Sequence, residues 1–448
     1  MAERDSAYWL YDGLLWLAGL VLAPLALIRA AVSPVYRRAL PGRLGFGPVL
    51  AGGARRLLLH GVSVGEVKAM RPLVAELQVR RPDLQLVLSS TTSGGRETAR
   101  RLFPGLEVVT YPLDLPFAVV RFLRRVRPSA VVLMELEIWP NFLRHCTRAA
   151  VPVAIVNGRI TDRSVQGYRR VQRFLPQFDR IRLYGVQNER YAERFRALHV
   201  PPDRIVVTGN LKYDNLPQAA DEAAFRASPW PAWVAGRPAV ALGSTHEPEE
   251  RDILAAAGDW GRNLLWIVVP RHPRRAARLR KELAGVAAGR PVLLRSELRP
   301  GQAVAEGAVL VVDSFGELEH VYRACSMAFV GGSLVAHGGQ NVLEPAALGR
   351  PAAVGPHTEN FADEVALLEA AGGLARVGDA RALVGLLAVW LREPRRAASA
   401  GEAAADALAV RRGAATCTLQ ALEQARLLPE RGSSPGDLPP HGTQALHL

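Results

Sequence analysis

The stretch FVGGSLVAHGGQNVLEPAALGRPAAVGP, residues 329–356, is the most informative segment of the sequence. Its apolar start and small-residue end predict two buried strands, joined by a glycine-rich loop and a helix that begins near Val342–Glu344. Glycine lets the backbone approach a ligand where a Cβ would clash, and a helix N-terminus behind such a loop suits an anionic group such as a nucleotide phosphate. The same glycines would also suit a turn that only packs an α/β unit. A polar cluster favours a binding site: Gln340, Asn341 and Glu344.

The alternation of short apolar strands with helical stretches extends over most of the chain. It begins at Arg56 and restarts at Ala239. Such a pattern is typical of doubly wound α/β domains, which bind ligands at the carboxyl ends of their strands. We therefore predict two Rossmann-like domains that face each other across a cleft, at residues 46–215 and 239–398. The other predicted segments are a membrane anchor with a basic flank (1–45), a linker (216–238), an alanine-rich C-terminal helix (399–428) and a disordered tail (429–448).

The composition indicates an anionic partner. The 448 residues include 56 Lys and Arg against 42 Asp and Glu, a formal net charge of +14. This excess suits an anionic membrane surface or a phosphorylated substrate. Only 6% of the residues are aromatic and the sequence has no basic segment interleaved with aromatics, so we expect no nucleic-acid partner. The three cysteines are far apart, and the sequence has no residue spacing typical of metal ligands. No metal site is therefore predicted.

The N-terminal segment contains an uncharged apolar run, GLLWLAGLVLAPLALI, at Gly13–Ile28. Extended to Tyr8–Val32, it reaches membrane-spanning length, while Pro24 and the modest length leave a monotopic anchor open. Arginines follow the run. The positive-inside rule then places the rest of the protein on the cytoplasmic face of the membrane.

Several candidate catalytic residues lie at predicted strand ends in the first half. Glu66, in HGVSVGE, follows the first strand and begins a helix, where a carboxylate stays ionised and can act as a general base; a plain helix-terminal Glu is the alternative. The same segment matches the Gly-x-Ser-x-Gly pattern of hydrolases at Ser63, but a hydrolase elbow normally follows several strands, not the first. Glu135 and Glu137 flank a later strand end on one face. Lys212 follows another strand end, where it can offer positive charge to a phosphate or carboxylate.

Candidate binding residues lie at the corresponding places in the second half. Pro270 and Arg271 end a strand, so Arg271 is predicted to point into the cleft as a phosphate ligand. Another strand is followed by Phe315, Gly316 and Glu317, whose backbone amides can hold a base or a phosphate. The sequence has no Asp-x-Asp pair, which disfavours a metal-bridged diphosphate donor.

An ordered series of motifs runs along most of the chain: HGVSVGEV, YPLDLP, MELEIWPN, NGRITDRSVQGYRR, VTGNLKYD, GSTHEPEE, VPRHP, SFGEL and FVGGSLVAHGGQNVLEPAALG. In this order they resemble the 3-deoxy-D-manno-octulosonic acid (Kdo) transferases of lipopolysaccharide synthesis. The resemblance implies an inverting glycosyltransferase of the GT-B fold. It implies CMP-Kdo as donor substrate, a lipid A precursor of the lipid IVA type as acceptor and no cofactor. It also implies a place on the cytoplasmic face of the inner membrane.

The resemblance also implies residue roles. Glu66 occupies the position of the general base, and Glu135 and Lys212 match positions that stabilise the transition state. The implied CMP-binding residues are Pro270, Arg271, Phe315, Gly316, Glu317, Asn341, Val342, Leu343 and Glu344.

Two alternatives remain open at this point. One is a GT-B enzyme with a different nucleotide-sugar donor. The other is a non-catalytic, membrane-anchored scaffold that retains the transferase fold.

Overall fold

Two parallel sheets organise the chain, one in each of two units. The computed structural model describes residues 2–50, 55–172, 174–217 and 222–429, with the side chains described from Ala7 onwards. Within these ranges, unit 1 comprises the residues up to Asn215 and those from Arg412 onwards, and unit 2 comprises Leu216–Arg411.

The sheet of unit 1 has seven parallel strands in the order β3-β2-β1-β4-β5-β6-β7. Their bounds are β1 (Arg56–His60), β2 (Gln85–Ser90), β3 (Glu107–Thr110), β4 (Ala130–Met134), β5 (Val153–Gly158), β6 (Leu183–Val186) and β7 (Ile205–Val207). Helices cover both faces, which is why a strand such as β1 is apolar along both of its sides. The strand order reverses between β1 and β4, and in doubly wound sheets this reversal marks the ligand crevice.

The helices of unit 1 include a long apolar N-terminal one. They are α1 (Ala2–Val32), α2 (Pro34–Arg43), α3 (Val64–Ala69), α4 (Arg71–Arg80), α5 (Ser93–Leu102), α6 (Pro116–Val126), α7 (Pro140–Arg148), α8 (Asp162–Gln172), α9 (Glu189–Arg196), α10 (Leu211–Asp214) and, near the C-terminus, α20 (Ala414–Gln424). Within Ala7–Val32 of α1, an 18-residue window has a mean hydropathy of 2.1, and none of that window is buried by the rest of the protein.

Unit 2 repeats the architecture, with parallel strands in the order β10-β11-β9-β8-β12-β13-β14. The strands are β8 (Ala239–Thr245), β9 (Leu265–Pro270), β10 (Val292–Leu294), β11 (Val309–Val311), β12 (Met327–Val330), β13 (Ala352–Val354) and β14 (Leu374–Arg376). The helices are α11 (Glu222–Ala227), α12 (Trp230–Val234), α13 (Glu249–Ala257), α14 (Ala276–Ala284), α15 (Leu318–Ala324), α16 (Leu343–Ala347), α17 (Ala362–Ala370), α18 (Ala380–Arg392) and α19 (Pro394–Ala409). Here the order reverses between β8 and β12, so the loop after β12, which contains the glycine-rich stretch, lies at the reversal.

The structure differs from the predicted organisation in the linker. Residues 222–234 of the predicted linker form α11 and α12, which belong to unit 2. Trp230 and Trp233 of α12 are almost fully buried and meet edge to face with ring centroids 5.2 Å apart. Two buried indoles make this segment part of the core, because their large apolar surfaces are removed from water.

The predicted single C-terminal helix, 399–428, is instead two helices. Unit 2 ends with α19, and the chain breaks at Gly413, which has a φ of +97° that favours glycine. After the break, α20 belongs to unit 1, where Asp214 accepts hydrogen bonds from the backbone of Gly413 at 2.7 Å and of Ala415 at 2.6 Å. A run of alanines favours helix on both sides of the break, so local propensity did not reveal it. The predicted disordered tail lies, beyond Pro429, outside the described residues.

Candidate active site

The carboxylates predicted in unit 1 lie at the reversal of its strand order. Glu66 follows β1 and Glu135 follows β4, and these strands are hydrogen-bonded neighbours. Because parallel strands end at the same edge of a sheet, the two loops share one crevice. The structure therefore brings together residues that are far apart in sequence.

Glu66 lies in the first turn of α3, which Ser63 caps by accepting a hydrogen bond from the Glu66 backbone. The Glu66 carboxylate accepts the hydroxyl of Ser63 at 2.8 Å and the backbone N–H of Val62 at 2.9 Å. Burial raises the pKa of Glu66, these hydrogen bonds oppose the rise, and the negative charge of Glu135 adds to it. The structural role and the proposed role of Glu66 are therefore compatible, because a half-buried carboxylate that holds the loop at the helix start can also accept a proton.

Glu135 adopts a backbone conformation that non-glycine residues rarely adopt, with a φ of +58°. Such a conformation costs about 1–3 kcal/mol and is concentrated at functional sites. Its carboxylate pairs with the Nε of Arg159 at 2.8 Å. Sequence reasoning did not select Arg159, although its place after β5 in the motif NGRITD was an available signal.

Glu137 completes a group of three interacting carboxylates. Burial raises its pKa to about 7, and the negative charges of Glu66 and Glu135 contribute to the rise. The indole N–H of Trp139, 2.7 Å from the Glu137 carboxylate, opposes it. Near neutral pH the crevice therefore contains a carboxyl group that readily gains or loses a proton.

Lys212 lies on the short helix α10, which follows β7 at the edge of the sheet. The side chain of Asn157, at the end of β5, accepts a hydrogen bond from the backbone of Leu211 at 3.0 Å and so holds the start of α10. The cation that contacts Glu135 is Arg159 rather than Lys212. The predicted role of Lys212 in the transition state stays a prediction.

In unit 2 a buried carboxylate organises the glycine-rich loop. Glu249, at the start of α13, accepts the backbone N–H of Gly332 at 2.7 Å, and also those of three other residues: His246, Ser333 and Leu334. The backbone N–H groups in the first part of the loop are therefore already hydrogen-bonded within the protein. A Cβ on Gly331 would lie 2.5 Å from the Cα of Thr245, so this glycine is needed for close packing of the loop against β8. Sequence reasoning did not select Glu249. The only signal for it was the motif GSTHEPEE, which places a Glu at the start of a helix.

The side chains of Asn341 and Glu344 hydrogen-bond to each other at 3.0 Å. Asn341 also accepts the backbone N–H of Leu343, the first residue of α16, at 3.1 Å. Val342 and Leu343 are buried. The polar edge of this predicted binding segment thus consists of Asn341 and Glu344.

The predicted segment Phe315–Glu317 follows β11 and has two kinds of side chain. Phe315 is 82% exposed, an unusual place for a large apolar side chain and one suited to covering a flat ligand ring. The carboxylate of Glu317 instead contacts Arg295 at 2.7 Å and accepts the indole N–H of Trp230 at 2.9 Å. Glu317 therefore fixes the loop that presents Phe315 and Gly316.

Positive and imidazole groups line the carboxyl ends of β8 and β9. Arg271, after Pro270, is exposed, and its backbone is fixed by a hydrogen bond to Thr245 at 3.0 Å. His246 stacks on His337, with ring centroids 4.3 Å apart. Burial lowers the pKa of His246 to about 4, and the positive charges of neighbouring groups, among them His337 and Arg271, lower it further. An environment that disfavours a further positive charge suits an anionic ligand.

Among the described residues, the structure has no cluster of three or more His, Cys, Asp or Glu side chains placed to hold a metal ion.

Comparisons with known proteins find relatives that cover most of this chain. The family model described as 3-deoxy-D-manno-octulosonic-acid transferase (kdotransferase) matches residues 38–215. The 3-deoxy-D-manno-octulosonic acid transferase of Haemophilus influenzae is 34% identical over 396 residues, which cover 85% of this chain and 90% of that protein. The protein of the same name from Bordetella pertussis is 36% identical over 382 residues, covering 82% of this chain and 86% of that one.

Solved structures establish the fold. The UDP-GlcNAc 2-epimerase of Neisseria meningitidis is 13% identical, with a TM-score of 0.56 over 83% of this chain and 100% of that one. Another UDP-N-acetylglucosamine 2-epimerase gives a TM-score of 0.57 at 14% identity, over 85% of this chain and 98% of that chain. At such low identities the likeness concerns the fold alone. It confirms the predicted GT-B class.

Proposed function

The chain belongs to the family of 3-deoxy-D-manno-octulosonic acid (Kdo) transferases and is a Kdo glycosyltransferase of lipopolysaccharide biosynthesis; from this premise we propose how it acts and on which substrates. The donor is CMP-Kdo and the acceptor is a lipid A precursor of the lipid IVA type. The reaction takes place on the cytoplasmic face of the inner membrane, to which α1 attaches the protein, and needs no cofactor.

In the proposed reaction Glu66 is the general base. A sugar hydroxyl of the acceptor gives its proton to the Glu66 carboxylate, and the hydroxyl oxygen attacks the anomeric carbon of Kdo. The bond from that carbon to the phosphate oxygen breaks with inversion, and CMP leaves with the electron pair. The observation that supports this role is the half-buried Glu66 carboxylate at the strand reversal, oriented by Ser63 and Val62 and with a raised pKa.

The other groups stabilise charge. Positive charge develops at the anomeric carbon, so the carboxylate of Glu135, held by Arg159, offsets it on the acceptor side. Lys212 and Arg271 offset negative charge on the Kdo carboxylate and on the departing phosphate. In unit 2, Phe315 and Gly316 contact the cytosine nucleotide, together with Asn341 and Glu344 at the polar edge of α16.

The direct test supplies purified protein with CMP-Kdo and a lipid A precursor, and measures CMP release and product mass. We expect stoichiometric CMP release and a mass gain of one or more Kdo units. Product that forms only with another nucleotide sugar would support the alternative donor. A protein that releases no nucleotide from any nucleotide-sugar donor would support the non-catalytic scaffold.

Glu66→Gln tests the base. Glutamine retains an amide oxygen that can accept the N–H of Val62, but it cannot accept a proton at neutral pH. We expect kcat/KM to fall about 10²–10⁴-fold, the usual contribution of a general base. The matched control is Glu97→Gln, a change at an exposed carboxylate on α5, which should leave activity within about twofold. Normal turnover by Glu66→Gln would overturn the assignment.

A further inference from the structure

The start of α1 is docked on unit 1 by polar contacts. The hydroxyl of Tyr11 donates to the carboxylate of Asp114 at 2.9 Å, and the side-chain amide of Asn141 donates to Asp12 at 2.6 Å. Tyr8 is 2% exposed against the same unit. This end of α1, before the apolar run, is therefore fixed on the side of the membrane that holds unit 1.

The end of α2 is docked on the same unit. The backbone N–H of Leu113 donates to the carbonyl of Arg43 at 2.8 Å, and the guanidinium of Arg43 donates to the carbonyl of Thr91 at 3.0 Å. Gly42 packs so closely that a Cβ there would lie 2.7 Å from the Cβ of Thr110. The ring of Trp16 also stacks on Phe117 of α6, with centroids 5.7 Å apart, so the segment leaves unit 1 after Trp16 and returns to it at Arg43.

The lengths of the two helices limit how far the segment can reach. The helix α2 has 10 residues, or about 15 Å of rise, and it connects the turn at Ser33 to the docked end at Arg43. The apolar run Gly13–Ile28 is about 24 Å long. The hydrocarbon core of a bilayer is about 30 Å thick, so a chain anchored at both ends on one side cannot cross it with these helices.

We propose that α1 and α2 form a monotopic hairpin that enters one membrane leaflet and does not cross the bilayer. This rests on the proposed membrane attachment and adds its topology. Residues before and after the apolar run then lie on the same side as the catalytic residues of unit 1.

The surface of the hairpin supports a lipid occupant. Leucines on several sides of α1, such as Leu14, Leu22 and Leu27, are 56–67% exposed, which is costly in water and favourable in acyl chains. The exposed Arg37 and Arg38 lie on α2, within two turns of its docked end at Arg43. Since the hairpin does not cross, these arginines stay at the headgroups of the entered leaflet, where they attract anionic lipid.

The topology is tested by labelling with a membrane-impermeant maleimide. Cys417, the exposed native cysteine of α20, reports the side of unit 1, while Cys146 and Cys325 are buried. Ala7→Cys is made with Cys417→Ser, and wild type serves as the matched control. In inverted inner-membrane vesicles we expect Ala7→Cys to be labelled like Cys417, and in intact spheroplasts neither should react.

Labelling of Ala7→Cys only from the face opposite to Cys417 would show that α1 crosses the membrane and would overturn the proposal. Wild-type protein that does not sediment with membranes would overturn the attachment itself, and with it the hairpin. Kdo transfer is measured on the same samples, so failure of the enzymatic function is distinguished from failure of the topology.

The headgroup assignment is tested with liposomes. Arg37→Gln and Arg38→Gln together should weaken binding to phosphatidylglycerol vesicles, by about fivefold for each charge removed, and should leave binding to phosphatidylcholine vesicles unchanged. Equal binding of wild type and variant to the anionic vesicles would overturn the assignment. A concentration-dependent dimer that buries α1 without detergent would show a second copy of the chain, not lipid, as its occupant.

Discussion

At the scale of single residues, the site depends on carboxylates whose charges act on one another. Glu135 raises the pKa of Glu66, and both raise that of Glu137. Arg159 pairs with Glu135 and partly offsets its charge. The ionisation of Glu66 therefore depends on neighbours that come from two other strands.

This coupling predicts the pH dependence of the reaction. A base works only when deprotonated, so kcat/KM falls on the acid side through the pKa of Glu66. Glu135→Gln removes a like charge that opposes ionisation, so the pKa of Glu66 falls and the acid limb moves to lower pH. The measurement is kcat/KM against pH for wild type and variant, whatever the loss in absolute rate.

The matched variant is Arg159→Gln, which should move the acid limb in the opposite direction. The negative charge of Glu66 stabilises the Arg159 cation, and by reciprocity the cation favours ionised Glu66. If neither variant moved the acid limb of the pH profile, that limb would reflect the ionisation of a group other than Glu66.

At the scale of elements, one carboxylate determines the shape of the loop after β12. Glu249 accepts backbone N–H groups from residues 83 to 85 positions away along the chain. A carboxylate has two oxygens that can each accept several such bonds, which an amide cannot match. The glycines let the loop come close, and Glu249 fixes where it lies.

Glu249→Gln tests this loop. Gln has a single acceptor oxygen, so buried N–H groups of the loop lose partners, each at a cost of about 1–3 kcal/mol. We expect the free energy of unfolding of unit 2 to drop by about 2 kcal/mol and the KM for CMP-Kdo to rise more than kcat falls. The measurements are urea unfolding and initial rates at varied donor concentration.

The control for Glu249→Gln is Glu282→Gln on α14. Glu282 pairs with Arg278 on the helix surface at 2.5 Å, and an ion pair so exposed to solvent contributes little to the free energy of unfolding. Equal effects of the two changes would mean that the loop does not depend on the buried carboxylate.

At the scale of the whole molecule, the chain leaves unit 1 for unit 2 and returns. After α19, the helix α20 packs on unit 1, where Leu419 and Leu422 belong to the core cluster that includes Leu73 and Leu77 of α4. The last helix therefore contributes to the core of the unit that contains Glu66.

Leu422→Ala tests this return. Leu422 is fully buried, and removing its side chain leaves a cavity, so we expect a loss of about 2–5 kcal/mol in the free energy of unfolding of unit 1. Val410→Ala, at a position that is 80% exposed, should change it by less than about 0.5 kcal/mol. Urea unfolding of both variants gives the comparison, and a neutral Leu422→Ala would contradict the packing of α20.

Much of the fold follows from the sequence because its signals are local. Strands such as β9 and β12 consist of apolar residues along their whole length, which is the local signal of a buried strand. Strand β14, Leu374–Arg376, lacks this signal, because its three residues include an arginine. The break between α19 and α20 was missed because alanine favours helix on either side.

Periodicity and turn chemistry involve neighbouring residues, so they were enough to predict the two doubly wound domains, the positions of Glu66, Glu135 and Arg271 at strand ends, and the apolar N-terminal segment. Only the tertiary structure decided which groups those residues meet. Arg159 pairs with Glu135, Glu249 holds the glycine-rich loop, and Tyr11 docks on Asp114, 103 positions away. Such contacts join distant parts of the chain, so strand order and packing create them and no local pattern records them.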